Sequence, residues 1–184
     1  MDKEHLEEQA RAFCAEHGVQ VRLFYEMPRG YEEAYGTYDR NSVFLNGSLL
    51  QNAPEEAVLF YLFHELRHAL QHQHPERLSA VVRESLPYVV LYDGTCYRLT
   101  PDGEQGCHLD GGAEVFTDAY LGLPYEEDAN AYAYARVCAL CGETDALRRL
   151  REFWRPKRAW TAEEYRRLFR RIDRAVGKVE ENRG

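Results

Sequence analysis

The pentapeptide His64-Glu65-Leu66-Arg67-His68 sets two imidazoles four residues apart, with a carboxylate beside the first of them. On a helix, positions i and i+4 share a face, so both imidazoles can grip a single metal ion. Glu65 then points roughly 100° away from His64 around the helix axis, where it can reach a water next to the ion rather than the ion itself. With seven His and 22 Glu in 184 residues, the pattern is expected by chance only about 0.03 times in such a chain. Its neighbours reinforce it. Ala57, Val58, Leu62, Leu66, Ala69 and Leu70 recur at helical spacing, and Pro54-Glu55-Glu56 is a good helix opening.

Two histidines do not complete a catalytic zinc site, which takes three protein ligands and leaves a position open for water. Downstream candidates are His72, His74, His108, Glu114, Glu126, Glu127 and Asp128. His72 sits one turn further along the same helix, about 5.4 Å away, too far to close easily on the same ion, and reads as a polar neighbour. His74 precedes Pro75 and is expected to face solvent. Glu126 shares a stripe with Ala129, Asn130, Ala133, Val137 and Leu140, whose small alanines permit close approach of two helices. That favours Glu126 as the third ligand, with Glu114 as the alternative and His108 behind it. Glu127 and Asp128 read as charges stabilised at a helix N-terminus. Asn130, one turn beyond Glu126, is placed to hydrogen-bond a metal ligand. Tyr132, Tyr134, Tyr125 and His108 are candidates for stabilising an oxyanion, and none stands out among 13 tyrosines.

The elements that must position these residues follow from periodicity. Residues 2–17 read as an amphipathic helix that exits at His17-Gly18. Val19, Val21, Leu23 and Tyr25 alternate with polar residues as in a strand. Two short strands, around Ala34–Tyr38 and Ser42–Asn46, flank the turn Asp39-Arg40-Asn41. The metal helix runs from about Pro54 to Gln73. Residues 76–110 are the least legible: helix over Leu78–Ser85, a hairpin of Tyr88–Tyr92 and Thr95–Leu99 around Asp93-Gly94, and a turn at Pro101-Asp102-Gly103. Helices are expected over Ala113–Leu121, Pro124–Leu140, Thr144–Trp154 and Thr161–Val176. The whole reads as one α+β domain over 1–184, with a core at 5–140 and a basic helical extension at 143–178.

The chain resembles a compact gluzincin metallopeptidase, with His64-Glu65-Leu66-Arg67-His68 as the His-Glu-x-x-His element. Glu126-Glu127-Asp128-Ala129-Asn130-Ala131-Tyr132-Ala133 is similar to the Glu-x-x-Ala-Asn-x-aromatic-Ala segment of ImmA/IrrE-type peptidases of phages and mobile elements. The resemblance covers roughly residues 5–140. It implies a zincin-like fold, in which a small twisted sheet lays an edge strand on the active-site helix and a helical portion follows. It also implies one Zn²⁺ held by His64, His68 and Glu126, and cleavage of a specific protein substrate. The strand pair Tyr35–Asn46 resembles the zincin edge strand, so an extended peptide is expected to add near Val43–Leu45. Glu65 would act as general base. The 57 residues between His68 and Glu126, with their cysteine-containing insert, and the basic tail have no counterpart in that family.

Composition bounds the alternatives. With 45% apolar and 12% aromatic residues the chain is globular, and it lacks an apolar run of membrane-spanning length or a signal-peptide pattern at Met1–His5. Five scattered cysteines suggest a reduced, cytoplasmic protein, with Cys138 and Cys141 read as helix packing rather than zinc or redox chemistry. The net charge of −8 is uneven: residues 1–147 carry −15, residues 148–174 carry +7, and residues 175–184 are neutral. The basic stretch reads as a solvated helix face paired with the acidic body. The rival from another class is a catalytically silent binding module that uses this helix on nucleic acid or a protein. A small-molecule metallohydrolase is a third possibility, because His-Glu-x-x-His does not define the bond cleaved.

Overall fold

A computed structural model describes residues 2–181, with side chains described up to Gly177; Met1 and the last residues of the expected 1–184 domain, 182–184, lie outside the described residues, as does the side chain at position 178. The protein is α+β, with eight α-helices and two three-stranded sheets among the described residues. The chain divides into two compact units, Met1–Leu78 with Asp128–Trp154, and Ser79–Glu127 with Arg155–Gly184. No helix among the described residues is long and apolar enough to cross a membrane.

The first unit opens with α1 (Lys3–His17), capped at its start by the Asp2 side chain and closed by Gly18 in the left-handed conformation. Three strands follow, β1 (Arg22–Phe24), β2 (Gly36–Asp39) and β3 (Ser42–Leu45). β2 and β3 form a hairpin through Arg40 and Asn41, both at positive φ, as a two-residue turn demands. Asn46 caps the single-turn α2 (Gly47–Leu50) and donates through its side chain to the carbonyls of Glu32 and Ala34. The sheet order is β1-β3-β2, with β1 parallel and β2 antiparallel to β3. This corrects the expected docking edge. Val43–Leu45 lie in the central strand, with backbone groups engaged on both sides; the strand of that pair on an open edge is β2.

Helix α3 (Glu55–Gln73) is the spine of this unit. Leu59, Phe60, Leu62, Phe63, Leu66 and Ala69 are buried, so apolar side chains almost encircle it and the helix has no solvated face along its middle. β2 lies along it: Tyr35 stacks on Tyr61, Gly36 faces Glu65, and Tyr38 stacks on His72. A 3₁₀ turn at Pro75–Arg77 ends the segment. Helix α6 (Pro124–Cys141) buries Ala129, Ala133 and Val137, the small-residue stripe foreseen for close approach, although Leu140 at its end is exposed. Helix α7 (Asp145–Phe153) starts at Thr144, whose side chain caps Leu147 and donates to Glu56.

The second unit holds α4 (Ala80–Ser85), the meander β4 (Tyr88–Val90), β5 (Thr95–Thr100) and β6 (Gly103–His108), then α5 (Ala113–Leu121) and α8 (Ala162–Glu181). Beyond the turn at Pro101-Asp102-Gly103, the sequence predicts no element where β6 forms. The β4–β5 connection is closed by Leu91 donating to Thr95 O, so the loop is longer than a two-residue hairpin. Gly94 stands there at φ 88°, and a Cβ would lie 2.5 Å from Leu109 O, which leaves room only for glycine. The core gathers Val90, Cys96, Phe116, Leu123, Leu168, Phe169 and Ile172. The basic stretch expected as one extension is shared between the units: α7 belongs to the first and α8 to the second. Within the second unit Arg166 pairs with Glu84 of the acidic body, as expected, whereas Arg170 with Glu163 and Arg158 with Glu164 pair inside the basic stretch itself.

Candidate metal centre

Helix α3 projects His64 and His68 from one face, with their Nε2 atoms 3.0 Å apart and their rings perpendicular. Glu126 stands in the first turn of α6. One ligand atom from each of His64, His68 and Glu126 lies within 4.8 Å of the other two. Two imidazoles and a carboxylate are a donor set suited to catalytic zinc. The spacing fits as well. Two zinc–nitrogen bonds of about 2.05 Å at a tetrahedral angle put the nitrogens about 3.3 Å apart, close to the separation seen. Of the three residues weighed as third ligand, the structure brings Glu126 into this cluster. Glu114 is exposed in the first turn of α5, and His108 is exposed at the end of β6, paired across the sheet with Thr95.

Glu65 is 4% exposed, an unusual place for a carboxylate. Its neighbour is the open-edged strand: a Cβ built on Gly36 would lie 2.9 Å from Glu65 Oε1 and 3.0 Å from its Cγ. Glycine at 36 therefore lets the strand backbone come down onto the carboxylate. The sequence held no signal for this beyond a glycine at the start of a short strand.

Behind the imidazoles lies a network that sequence reading did not assemble. His68 Nδ1 is 2.8 Å from Gln71 Oε1, and Gln71 Nε2 donates to Asp128 Oδ2 at 2.8 Å. Arg67 grips the same carboxylate twice, from Nε at 2.8 Å and Nη2 at 3.1 Å. Asp128 was expected to be a helix-terminus charge; its two oxygens instead tie α6 to α3 through Arg67 and Gln71. The hydrogen bond to the His68 imidazole is made by Gln71, a residue the sequence reading does not single out. Asn130 itself is half-buried on α6. The i, i+3 spacing of His68 and Gln71 was the available signal for that contact.

The tyrosines sort themselves by partner. Tyr132 hydroxyl meets His17 Nε2 at 2.9 Å, and its ring carries the Arg67 guanidinium 5.0 Å from its centre. Tyr134 hydroxyl bonds Glu143. Burial pushes the hydroxyl of Tyr125 well above the usual phenol range. His72 remains a polar neighbour stacked on Tyr38. His74 departs from the solvent-facing expectation: it is half-buried, 3.1 Å from Gly18 O and 3.2 Å from Glu76. Burial also lowers the pKa of His17, where Tyr132 and Phe13 pack around the ring. Compared with known protein families, curated proteins and solved structures, the chain gives no match.

Proposed function

We propose that this protein is a zinc-dependent peptidase, with a zincin-like arrangement of edge strand and active-site helix, that hydrolyses a peptide bond in an extended protein substrate. The observation that carries this reading is Glu65, buried beside the metal-ligand cluster and covered by the backbone of β2 at Gly36. A structural metal site needs no general base, whereas a hydrolytic site does.

Zinc held by His64, His68 and Glu126 would polarise the scissile carbonyl and acidify a water. Glu65 takes the proton from that water as its oxygen bonds to the carbonyl carbon. When the carbon–nitrogen bond breaks, Glu65 returns the proton to the leaving amine, so the base becomes the acid and the enzyme ends unchanged. The open edge of β2 offers unpaired backbone donors and acceptors to a substrate strand, which aligns a peptide beside Glu65 without demanding particular side chains. The packing of Gly36 on Glu65 holds the base next to that strand.

Glu65→Gln keeps the size and hydrogen-bonding of the side chain but cannot accept the proton. It should retain one zinc per chain while cleavage of a fluorogenic peptide library falls by about 10²- to 10⁴-fold. A variant that cleaves at the wild-type rate removes Glu65 from the mechanism.

A further inference from the structure

We infer that Arg67, Asp128 and Gln71 form a relay that fixes the tautomer of His68, making them positioning residues for the metal. This rests on the metal-site reading above. The logic is one of forced donors. Arg67 can only donate, and it presents Nε and Nη2 to the two oxygens of Asp128. The ionised carboxylate can only accept, so the Gln71 atom 2.8 Å from Asp128 Oδ2 must be its NH₂ group. That orients the amide and turns Gln71 Oε1, an acceptor, toward His68 Nδ1 at 2.8 Å. His68 Nδ1 therefore carries the proton. The Nε2 lone pair is left for the metal, on the side where His64 Nε2 stands.

Burial gives this chain its force. Gln71 is fully buried and His68 is 9% exposed, so water does not readily substitute for a lost partner. Arg67 and Asp128 are largely covered too, at 17% and 25% side-chain exposure. The same relay has a second consequence. Asp128 lies two residues after Glu126 on α6, while Arg67, His68 and Gln71 lie on α3, so the bonds that set the tautomer also hold together the helices that carry the ligands.

The test reads the tautomer and the metal separately. In the zinc-free wild-type protein, two-bond ¹⁵N–¹H correlations of the imidazoles should show His68 as the Nδ1–H form. Gln71→Met, of similar length but unable to accept, should shift His68 toward Nε2–H. It should also weaken zinc binding about 10- to 100-fold, read by competition of Zn²⁺ alone against a chromophoric chelator. Gln71→Glu combined with Asp128→Asn, whose amide then donates to the new carboxylate, still accepts from Nδ1 and should restore the Nδ1–H form. Asp128→Ala frees the amide to turn and should leave His68 as a mixture, which keeps the test decisive if the Gln71 variants do not fold. A wild-type His68 that is not Nδ1–H overturns the relay. So does Gln71→Met or Asp128→Ala with unchanged tautomer and zinc affinity. A wild-type protein that binds no zinc but shows His68 as Nδ1–H overturns the metal-site reading and leaves the relay standing.

Discussion

The two units use their interiors differently. The core of the second unit is built from Val90, Leu123, Leu168, Ile172 and stacked rings such as Tyr88 on Phe169, and its polar atoms are chiefly phenol hydroxyls: Tyr88 donates to Asp173 at the part-buried edge, and Tyr165 donates to Ala119 O inside the core. Among the described residues, the first unit buries Ser42, Asn46, Glu65, His68 and Gln71, and the second buries Ser85. Burying polar groups costs stability unless each is bonded, and it yields little if packing is the only aim. A core that accepts a carboxylate, an imidazole and an amide on one helix suits the chemistry proposed for it. The other is organised for packing.

That contrast can be broken, starting with its largest consequence. Glu65→Gln should abolish nearly all cleavage with zinc retained if the buried carboxylate is the proposed base. Ile172→Ala should do the reverse, lowering unfolding free energy by about 2–5 kcal/mol through a cavity in an apolar core, as measured by denaturant titration. A negligible loss there would mean that the second core is not close-packed. Gly36→Ala sharpens the comparison further. The added Cβ would meet Glu65 Oε1 at 2.9 Å, so the carboxylate must shift. Cleavage should fall on the order of 10- to 100-fold while zinc affinity holds; an unchanged rate would separate β2 from the base.

The smallest effect concerns pH. Burial lowers the pKa of His17 below its ordinary 6.5, so the unfolded chain binds a proton more readily than the folded one. The stability that neutral His17 contributes is therefore complete above pH 6.5 and is lost as pH falls through 6.5 toward the lower folded value. Chemical melts at pH 7.5 and 5.5 should show the wild-type protein weaker at the lower pH, and His17→Gln should flatten that difference. An equal pH dependence in the variant would place its source elsewhere.

The features legible in the sequence are those written in local chemistry. α1, α3, α5 and α6 follow from 3.6-residue periodicity, helped at α1 by the Asp2 cap, and each begins and ends within about a residue or two of its expected bounds. The histidine pair was readable because helix spacing sets which side chains share a face, whereas Glu126 was favoured over Glu114 and His108 by its alanine stripe and by the resemblance. β6, with the sequence Gly-Glu-Gln-Gly-Cys-His, has no alternating apolar pattern, and only its pairing with β5 makes it a strand. The place of β3 in the middle of its sheet depends on β1, a three-residue strand contributed from before the hairpin. The role of Asp128 depends on Arg67, 61 positions earlier, and no local pattern joins them. Gly36 matters only because a strand settles on a helix. Tertiary contact, not propensity, decides each of these.

The measurement that bears most directly on the account is zinc titration of the metal-free protein beside His64→Ala. The wild-type chain should bind one zinc per molecule, and His64→Ala should lose stoichiometric binding while remaining folded. One zinc per chain retained by His64→Ala at wild-type affinity would contradict the assignment of the centre to His64, His68 and Glu126.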